Sequence, residues 1–369
     1  MSRKITPMFN DYLYGAIRRL AVQQGFTEDL FSVDFDEETR LECDGFVSFV
    51  FKVIINGDDR ELVLWCKVPP NDDPRSLALF KREVHFYEEI LPAMYEFQRA
   101  KDVNEQSDEG FFSAPKCYLA HCDTDKAEPE AVIVLEYDEN YERWDWDKFE
   151  PINVDHAKLL LRQLGRLHAV SLAMKAQKPE TFEKLKCTLE GSIDFGTLMK
   201  ETFDRALTTM KTRFAADQVE IQQLRETIFN ELTSCASVAR VEAFSVISHG
   251  DCWINNFIFT HNKEKAAVNV ILTDWQSIRY ATPLLDLGYF FFICTSIEFR
   301  KKHWEELLKH YHSALRTLLN RLGGDTDRQF PFAALEWLAK SFRMIFPQEQ
   351  IRKHDDGNVK FEPPVEVDK

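Results

Sequence analysis

The stretch SVISHGDCWINNFIF, Ser245 to Phe259, sets His249, Gly250, Asp251, Trp253, Asn255 and Asn256 between two apolar runs. A carboxylate and two amides are costly to bury unpaired, so a polar knot in such a setting needs a use. Asp251 and Asn256 stand five residues apart, and Asp274 follows eighteen residues later at the end of the run VNVILTD. A strand, a turn and a returning strand fit that interval and bring Asp274 back beside Asn256. Two carboxylates and an amide oxygen on facing segments form an oxygen-rich set suited to Mg²⁺. In phosphoryl transfer a loop carboxylate meets the acceptor hydroxyl, while an Asn and a later Asp hold metal against the phosphates. The competing reading is a polar turn in which Asp and Asn act as turn formers. The D-x4-N spacing alone does not separate the two.

A second set of residues discriminates between them. Lys67 lies inside the apolar run LVLWCKV, where an ammonium must find a carboxylate or reach out to solvent. The following helical run offers Glu83, one turn before Tyr87. A strand lysine with a helix glutamate is the pair that holds nucleotide phosphates in kinases. Upstream, CDGFVS supplies Gly45 and Ser48 as a loop whose hydroxyl and backbone N–H groups can meet phosphate oxygens. An ordinary hairpin turn accounts for that short stretch equally well. Other polar residues read as supports. His249 pins the loop backbone, His168 packs on a helix face beside Leu164 and Leu172, and Trp253 anchors the loop or walls a pocket. Asp286 caps a helix or hydrogen-bonds the loop.

The elements that must position these groups follow from periodicity. Residues 8–24 read as a helix. RLECDGFVSFVFKVIING reads as a hairpin or its second strand, NGDD as the next turn and ELVLWCKVPP as a further strand. SLALFKREVHFYEEILPAMYEF keeps helical spacing, and Pro92 kinks it or starts a new segment. APKCYLAHCD and EAVIVLEYDEN are two further strands, the second running into an acidic exit at the lobe crossing where adenine would lie. NVDHAKLLLRQLGRLHAVSLAMKAQ is an amphipathic helix capped by Asn153 or Asp155. Further helices are expected over 195–240, 284–320 and 332–346. The expected fold class is α+β and two-lobed. Residues 1–138 form an antiparallel sheet lobe with helices, 139–350 a helical lobe, and 351–369 a loose tail.

Composition narrows the partners. The chain has 369 residues and a net charge of −15, which argues against a nucleic-acid backbone as partner. A free nucleotide is also repelled by that charge, so any nucleotide site must carry its own lysine and a metal. The N-terminus lacks the apolar core of a signal peptide, and no run is long enough to span a bilayer. The expectation is a cytoplasmic protein without a membrane segment or an evident protein partner. Thirty Phe point to a Phe-rich core before they point to an apolar pocket.

Taken together, HGDCWINNFIF, ILTDWQ, TPLLDL, LGRLHAVSLAMKAQKPETF, CKVPP and FKREVHFYEEILP resemble the ecdysteroid-kinase-like, or CHK-kinase-like, proteins. These belong to the wider group of choline kinases and aminoglycoside phosphotransferases. The resemblance runs in order over roughly residues 40–320, with a core about 133–320. It implies a protein-kinase-like fold, ATP, Mg²⁺ and a small hydroxylated acceptor such as a steroid or a xenobiotic. By position it implies Asp251 as catalytic base, Asn256 and Asp274 as metal ligands, and Lys67 with Glu83 as phosphate clamp. A kinase-shaped binding protein that sequesters a lipophilic molecule is the alternative, although a binder has no need of all five residues. A protein kinase fits less well, because DWQ stands where D-F-G is expected and no A-P-E follows.

Overall fold

The computed structural model describes residues 10–42, 48–70, 73–126, 129–138, 152–189 and 242–345. Its N-terminal part is a five-stranded antiparallel sheet in the order β1-β2-β3-β5-β4. The strands are β1 (Phe31–Glu42), β2 (Phe49–Gly57), β3 (Arg60–Val68), β4 (Cys117–Asp123) and β5 (Glu130–Glu136). Helix α1 (Asp11–Gln23) covers one face, packing Leu13, Ile17 and Leu20 against Phe51, Val53, Ile55, Leu64, Cys66, Val132 and Val134. The opposite face meets α2 (Pro74–His85) and α3 (Leu91–Arg99), where Phe80 and Val84 join Ala131 and Ile133. In β5, Val132 and Val134 thus face one way and Ala131 and Ile133 the other. A strand covered on both faces reads as a continuous apolar run.

The turn Phe86–Ile90 between α2 and α3 is a π-helix, closed by the Leu91 N–H bonding to the Phe86 carbonyl. Pro92 lies just beyond it. Proline has no N–H and crowds the carbonyl four residues back, and a widened turn absorbs both effects. The expected break at Pro92 is therefore a bulge inside one continuous helical run. The sequence-based expectation also left β1 partly unread. It is an edge strand, and its acidic residues obscure the alternation that identifies a strand.

The C-terminal part is mainly helical. Helix α4 (Val154–Gln177) is buried along most of its length and capped by Asn153, whose side chain accepts from the Asp155 and His156 N–H groups. It lies beside the long helix α7 (Ile297–Arg321), and a Cβ at Gly165 would stand 2.6 Å from the Tyr311 carbonyl oxygen. Only glycine permits that approach. Helices α5 (Pro179–Leu189), α6 (Leu284–Ile293), α8 (Thr326–Gln329) and α9 (Phe332–Ile345) complete the described helices. Four short strands serve the polar knot. β6 (Val246–Ser248) pairs with β9 (Arg279–Ala281), and β7 (Phe257–His261) pairs with β8 (Ala267–Leu272). Phe51, Phe80, Phe86, Phe111, Phe259, Phe290, Phe291 and Phe330 are fully buried, so much of the Phe content is core. The helices expected over 195–240 and the tail 351–369 lie outside the described residues. Among the described residues no helix is long and apolar enough to cross a membrane.

One buried histidine makes stability depend on pH. His156 Nδ1 lies 2.6 Å from Asn153 Oδ1, and its Nε2 lies 3.2 Å from His261 Nε2. Burial, then His261, push His156 down to about 4, with Asp155 pulling the other way. The unfolded imidazole binds its proton near pH 6.5. Between these values the unfolded chain holds more protons, so this contribution is complete above about pH 6.5 and falls as pH drops toward 4. Melting curves at pH 7.5 and 4.5 should show a larger loss for the wild type than for His156→Gln.

Candidate active site

Register determines where Lys67 points. Its Cα partners are Val50 on β2 and Ile133 on β5, while its neighbour Cys66 belongs to the core under α1. Lys67 therefore projects from the other face, toward α2. There its Nζ forms an ion pair with Glu83 and a second with Asp274 Oδ1 at 2.6 Å. Lys67 and Glu83 are buried, at 6% and 1% exposure. Burial alone would depress the lysine, but Asp274 and Glu83 override it and hold the ammonium above its ordinary range. Residues distant in sequence thus meet where β3, α2 and the end of the β7–β8 hairpin converge.

Asp274 is held at both carboxylate oxygens. Lys67 takes Oδ1, and the Gln276 amide donates to Oδ2 at 3.2 Å. Its backbone is left-handed, with φ 63° and ψ 63°. That conformation is costly for a residue other than glycine and persists only where the surroundings enforce it. Here the next residue is clamped. The Trp275 ring stacks on Phe86 at 3.9 Å, its backbone N–H donates to Glu83 Oε1, and its indole N–H donates to the Leu272 carbonyl. The π-turn is what presents Phe86 to that ring.

The hairpin returns to the knot as expected. The Thr273 N–H and hydroxyl both donate to the Asn256 carbonyl, at 2.9 and 3.1 Å. The Asn256 side-chain Nδ2 donates to the Asp251 carbonyl and to Asp251 Oδ2, at 2.9 and 3.0 Å. With both amide protons committed to Asp251, the Asn256 Oδ1 is the atom left for a cation. Asp251, Asn256 and Asp274 therefore occupy one neighbourhood, and Lys67 and Glu83 adjoin it through Asp274.

The supports sit where their chemistry requires. Asp286, fully buried on α6, accepts the His249 and Gly250 N–H groups at 2.8 Å each and faces His168 Nε2 at 3.1 Å. Burial pushes its carboxyl up, but the His168 hydrogen bond and nearby histidines hold it below the ordinary range. His168 Nδ1 meets the Tyr311 hydroxyl at 2.8 Å, so α4, α6 and α7 brace the loop together. His249 Nε2 lies 3.0 Å from the Thr273 carbonyl, the pinning contact expected of it. Trp253 is partly buried against the main core. Ser48 is buried and directly precedes Phe49, whose partner Val68 adjoins Lys67. Gly45 lies outside the described residues, as does the lobe crossing beyond Asp138.

Gly250 has φ 86°, and a Cβ there would stand 2.0 Å from the Ser277 carbonyl oxygen. Backbone strain and a clash with backbone coincide. Gly250→Ala is expected to cost at least ~2 kcal/mol of unfolding free energy in urea titrations.

Two arginines escaped sequence reasoning. Arg82, beside Glu83, donates to the Ile278 carbonyl and, at 2.9 Å, to the Leu189 carbonyl. Arg279 donates to the Gly250 carbonyl. The signal for Arg279 was a cation within the apolar run SIRYAT. Arg82 gave none, because FKREVHFY reads as an ordinary charged helix face.

At the centre of the site a strand lysine is paired with a helix glutamate and with a strand-end aspartate. The model of the ecdysteroid kinase-like family matches residues 42–324, and the chain belongs to that family. Comparison with curated proteins gives no match. Among solved structures, the ethanolamine kinase of Plasmodium vivax is 14% identical, with 91% of this chain and 83% of that one covered and a TM-score of 0.45. A spectinomycin phosphotransferase in complex with ADP and spectinomycin is 12% identical, with coverage of 90% and 97% and a TM-score of 0.45. An aminoglycoside 2′-phosphotransferase in its GDP complex is 13% identical, with coverage of 92% and 99% and a TM-score of 0.43. The family match, spanning most of the chain, carries the assignment.

Proposed function

We propose that the protein is an ATP-dependent phosphotransferase acting on a hydroxyl group of a small, lipophilic molecule, of the ecdysteroid or xenobiotic kind. The observation that carries this reading is Lys67 paired with both Glu83 and Asp274, beside the Asp251–Asn256 hydrogen bond. A binding protein has no need to bury a lysine between two carboxylates, since such pairs are weak sources of stability.

In this reading Lys67, oriented by Glu83, holds nucleotide phosphates. Asp251 orients the acceptor hydroxyl and takes its proton. Ser48 and Gly45 contribute to the loop over the phosphates. The donor set fits Mg²⁺, because the Asp274 carboxylate and the Asn256 Oδ1 are hard oxygens on facing segments. When bound, the metal supplies charge neutralisation at the phosphates. The chain's own work is positioning and proton acceptance. The division into a sheet lobe over 1–138 and a helical lobe over 139–350, and a cytoplasmic location, belong to the same proposal.

The test has two arms. Thermal shift with ATP and Mg²⁺ reads nucleotide binding, and incubation with γ-labelled ATP and a panel of hydroxylated lipophiles reads transfer. A shift with transfer is expected. A lipophile that stabilises the protein while ATP and Mg²⁺ do nothing would favour the sequestering protein instead.

A further inference from the structure

Arg82 and Arg279 grip opposite sides of one short segment. Arg82 rises from α2 next to Glu83 and donates to the Ile278 carbonyl. That carbonyl belongs to the 278–279 peptide unit, which is rigid and planar. Arg279, at the other end of the same unit, donates to the Gly250 carbonyl, one residue before Asp251. Arg279 is also fixed at its base. It pairs with Ser248 in the β6–β9 ladder, and the Ser248 hydroxyl donates to its carbonyl at 3.1 Å. Ile278 is fully buried, so the segment has little room to yield.

We propose that Arg82, the 278–279 peptide and Arg279 form a relay that makes the Glu83 helix and the Asp251 loop move as one unit. Its bearing on turnover rests on the phosphotransferase reading, but the mechanical link does not. Lys67 and Asp274 join the two halves of the site. The relay joins them separately, through the 278–279 peptide. It adds to the Lys67–Asp274 pair and the Trp275–Glu83 hydrogen bond a tie that reaches the Asp251 loop itself.

The relay is expensive to maintain, which argues that it is more than packing. Arg82 is only 3% exposed. Burial, then the field of Arg279, push its guanidinium down to about 10, which still leaves it charged at neutral pH. Two like charges held close inside a protein oppose folding unless the groups around them compensate. For Arg82 the compensation includes the Leu189 carbonyl at the C-terminal end of α5, the negative end of that helix. The guanidinium is suited to this role because its planar fork can serve two carbonyls at once, whereas lysine offers a point charge.

The test is amide hydrogen exchange across residues 248–256 in wild type, Arg82→Met, Arg279→Met and the double variant. The Arg82 hydrogen bonds to the Ile278 and Leu189 carbonyls lie outside that loop, so a merely local role would leave the loop unchanged. The relay predicts that Arg82→Met raises exchange at 249–253 by about tenfold or more. It also predicts that the double variant exceeds the worse single variant by no more than about twofold. Gly57→Ala is the control for general loss of stability. A Cβ there meets Phe31 and Leu30 atoms at 2.6–2.9 Å, far along β2 from Ser48. It should lower the melting temperature without loosening the loop selectively.

If Arg82→Met does not fold, Arg82→Lys keeps the charge and loses the fork, and the same exchange pattern is expected of it. Exchange raised only in α2 and α5, or simple additivity in the double variant, overturns the relay. Binding of a fluorescent ATP analogue is read in parallel. Wild type that fails to bind it sinks the phosphotransferase reading while leaving the exchange result to judge the relay.

Discussion

Asp251→Asn is expected to lower phosphate transfer by about 10³-fold or more while leaving the fold and nucleotide binding intact. The carboxylate accepts from Asn256 Nδ2 at 3.0 Å and from the Tyr289 hydroxyl, and the loop carbonyl of the same residue accepts from Asn256 Nδ2 at 2.9 Å. The backbone bond survives the substitution. The side-chain bond from Asn256 survives through the asparagine carbonyl. What disappears is the negative charge that orients a hydroxyl and receives its proton. General-base catalysis contributes about 10²–10⁴-fold, and charge complementarity in the same place adds to it. The measurement is single-turnover transfer of γ-label to an acceptor identified from the panel, together with the melting temperature with and without ATP and Mg²⁺. An undiminished rate would show that another group takes the proton.

How much of this was legible before the structure depends on the distance over which each residue acts. Lys67 stood out because its neighbours Trp65, Cys66 and Val68 are apolar, so the context itself posed the question of a partner. Asp274 stood out because it ends an apolar strand one hairpin away from Asn256, and a hairpin is a local structure. Asp286 was read as either a cap or a loop contact. The structure shows the loop contact, with two backbone N–H groups bound at 2.8 Å.

The arginines were less legible for a definite reason. Arg82 serves carbonyls 107 and 196 residues away. A carbonyl is present at every position, so sequence cannot mark which one is the partner. The same limit hid the β6–β9 pairing, since strands of three residues carry too short a period to detect. The π-turn illustrates a subtler case. Pro92 announced an irregularity, but proline is compatible with a kink, a new start or a bulge, and the Phe86–Trp275 stack that favours the bulge is a tertiary contact.

Lys67→Met tests binding and stability at the same position. Removing the ammonium leaves Glu83 buried at 1% exposure beside Asp274, with no cation between two carboxylates. Breaking a buried pair from one side costs about 3–5 kcal/mol, because the remaining charge is uncompensated. The expected result is a large drop in the urea midpoint, with loss of the ATP-dependent thermal shift. The pH dependence should change as well. In Lys67→Met a proton taken up by Glu83 relieves its repulsion with Asp274, so the variant should regain part of its stability on mild acidification. In the wild type burial and Asp274 already push the Glu83 carboxyl up while Lys67 offsets them, so the gain on acidification should be larger in the variant. Adding Glu83→Gln to Lys67→Met should restore stability by removing one of the two facing carboxylates, yet it should not restore nucleotide binding. That split separates structural from functional roles. If the double variant recovered both, Lys67 would be a fold determinant and the phosphate clamp would have to be sought elsewhere.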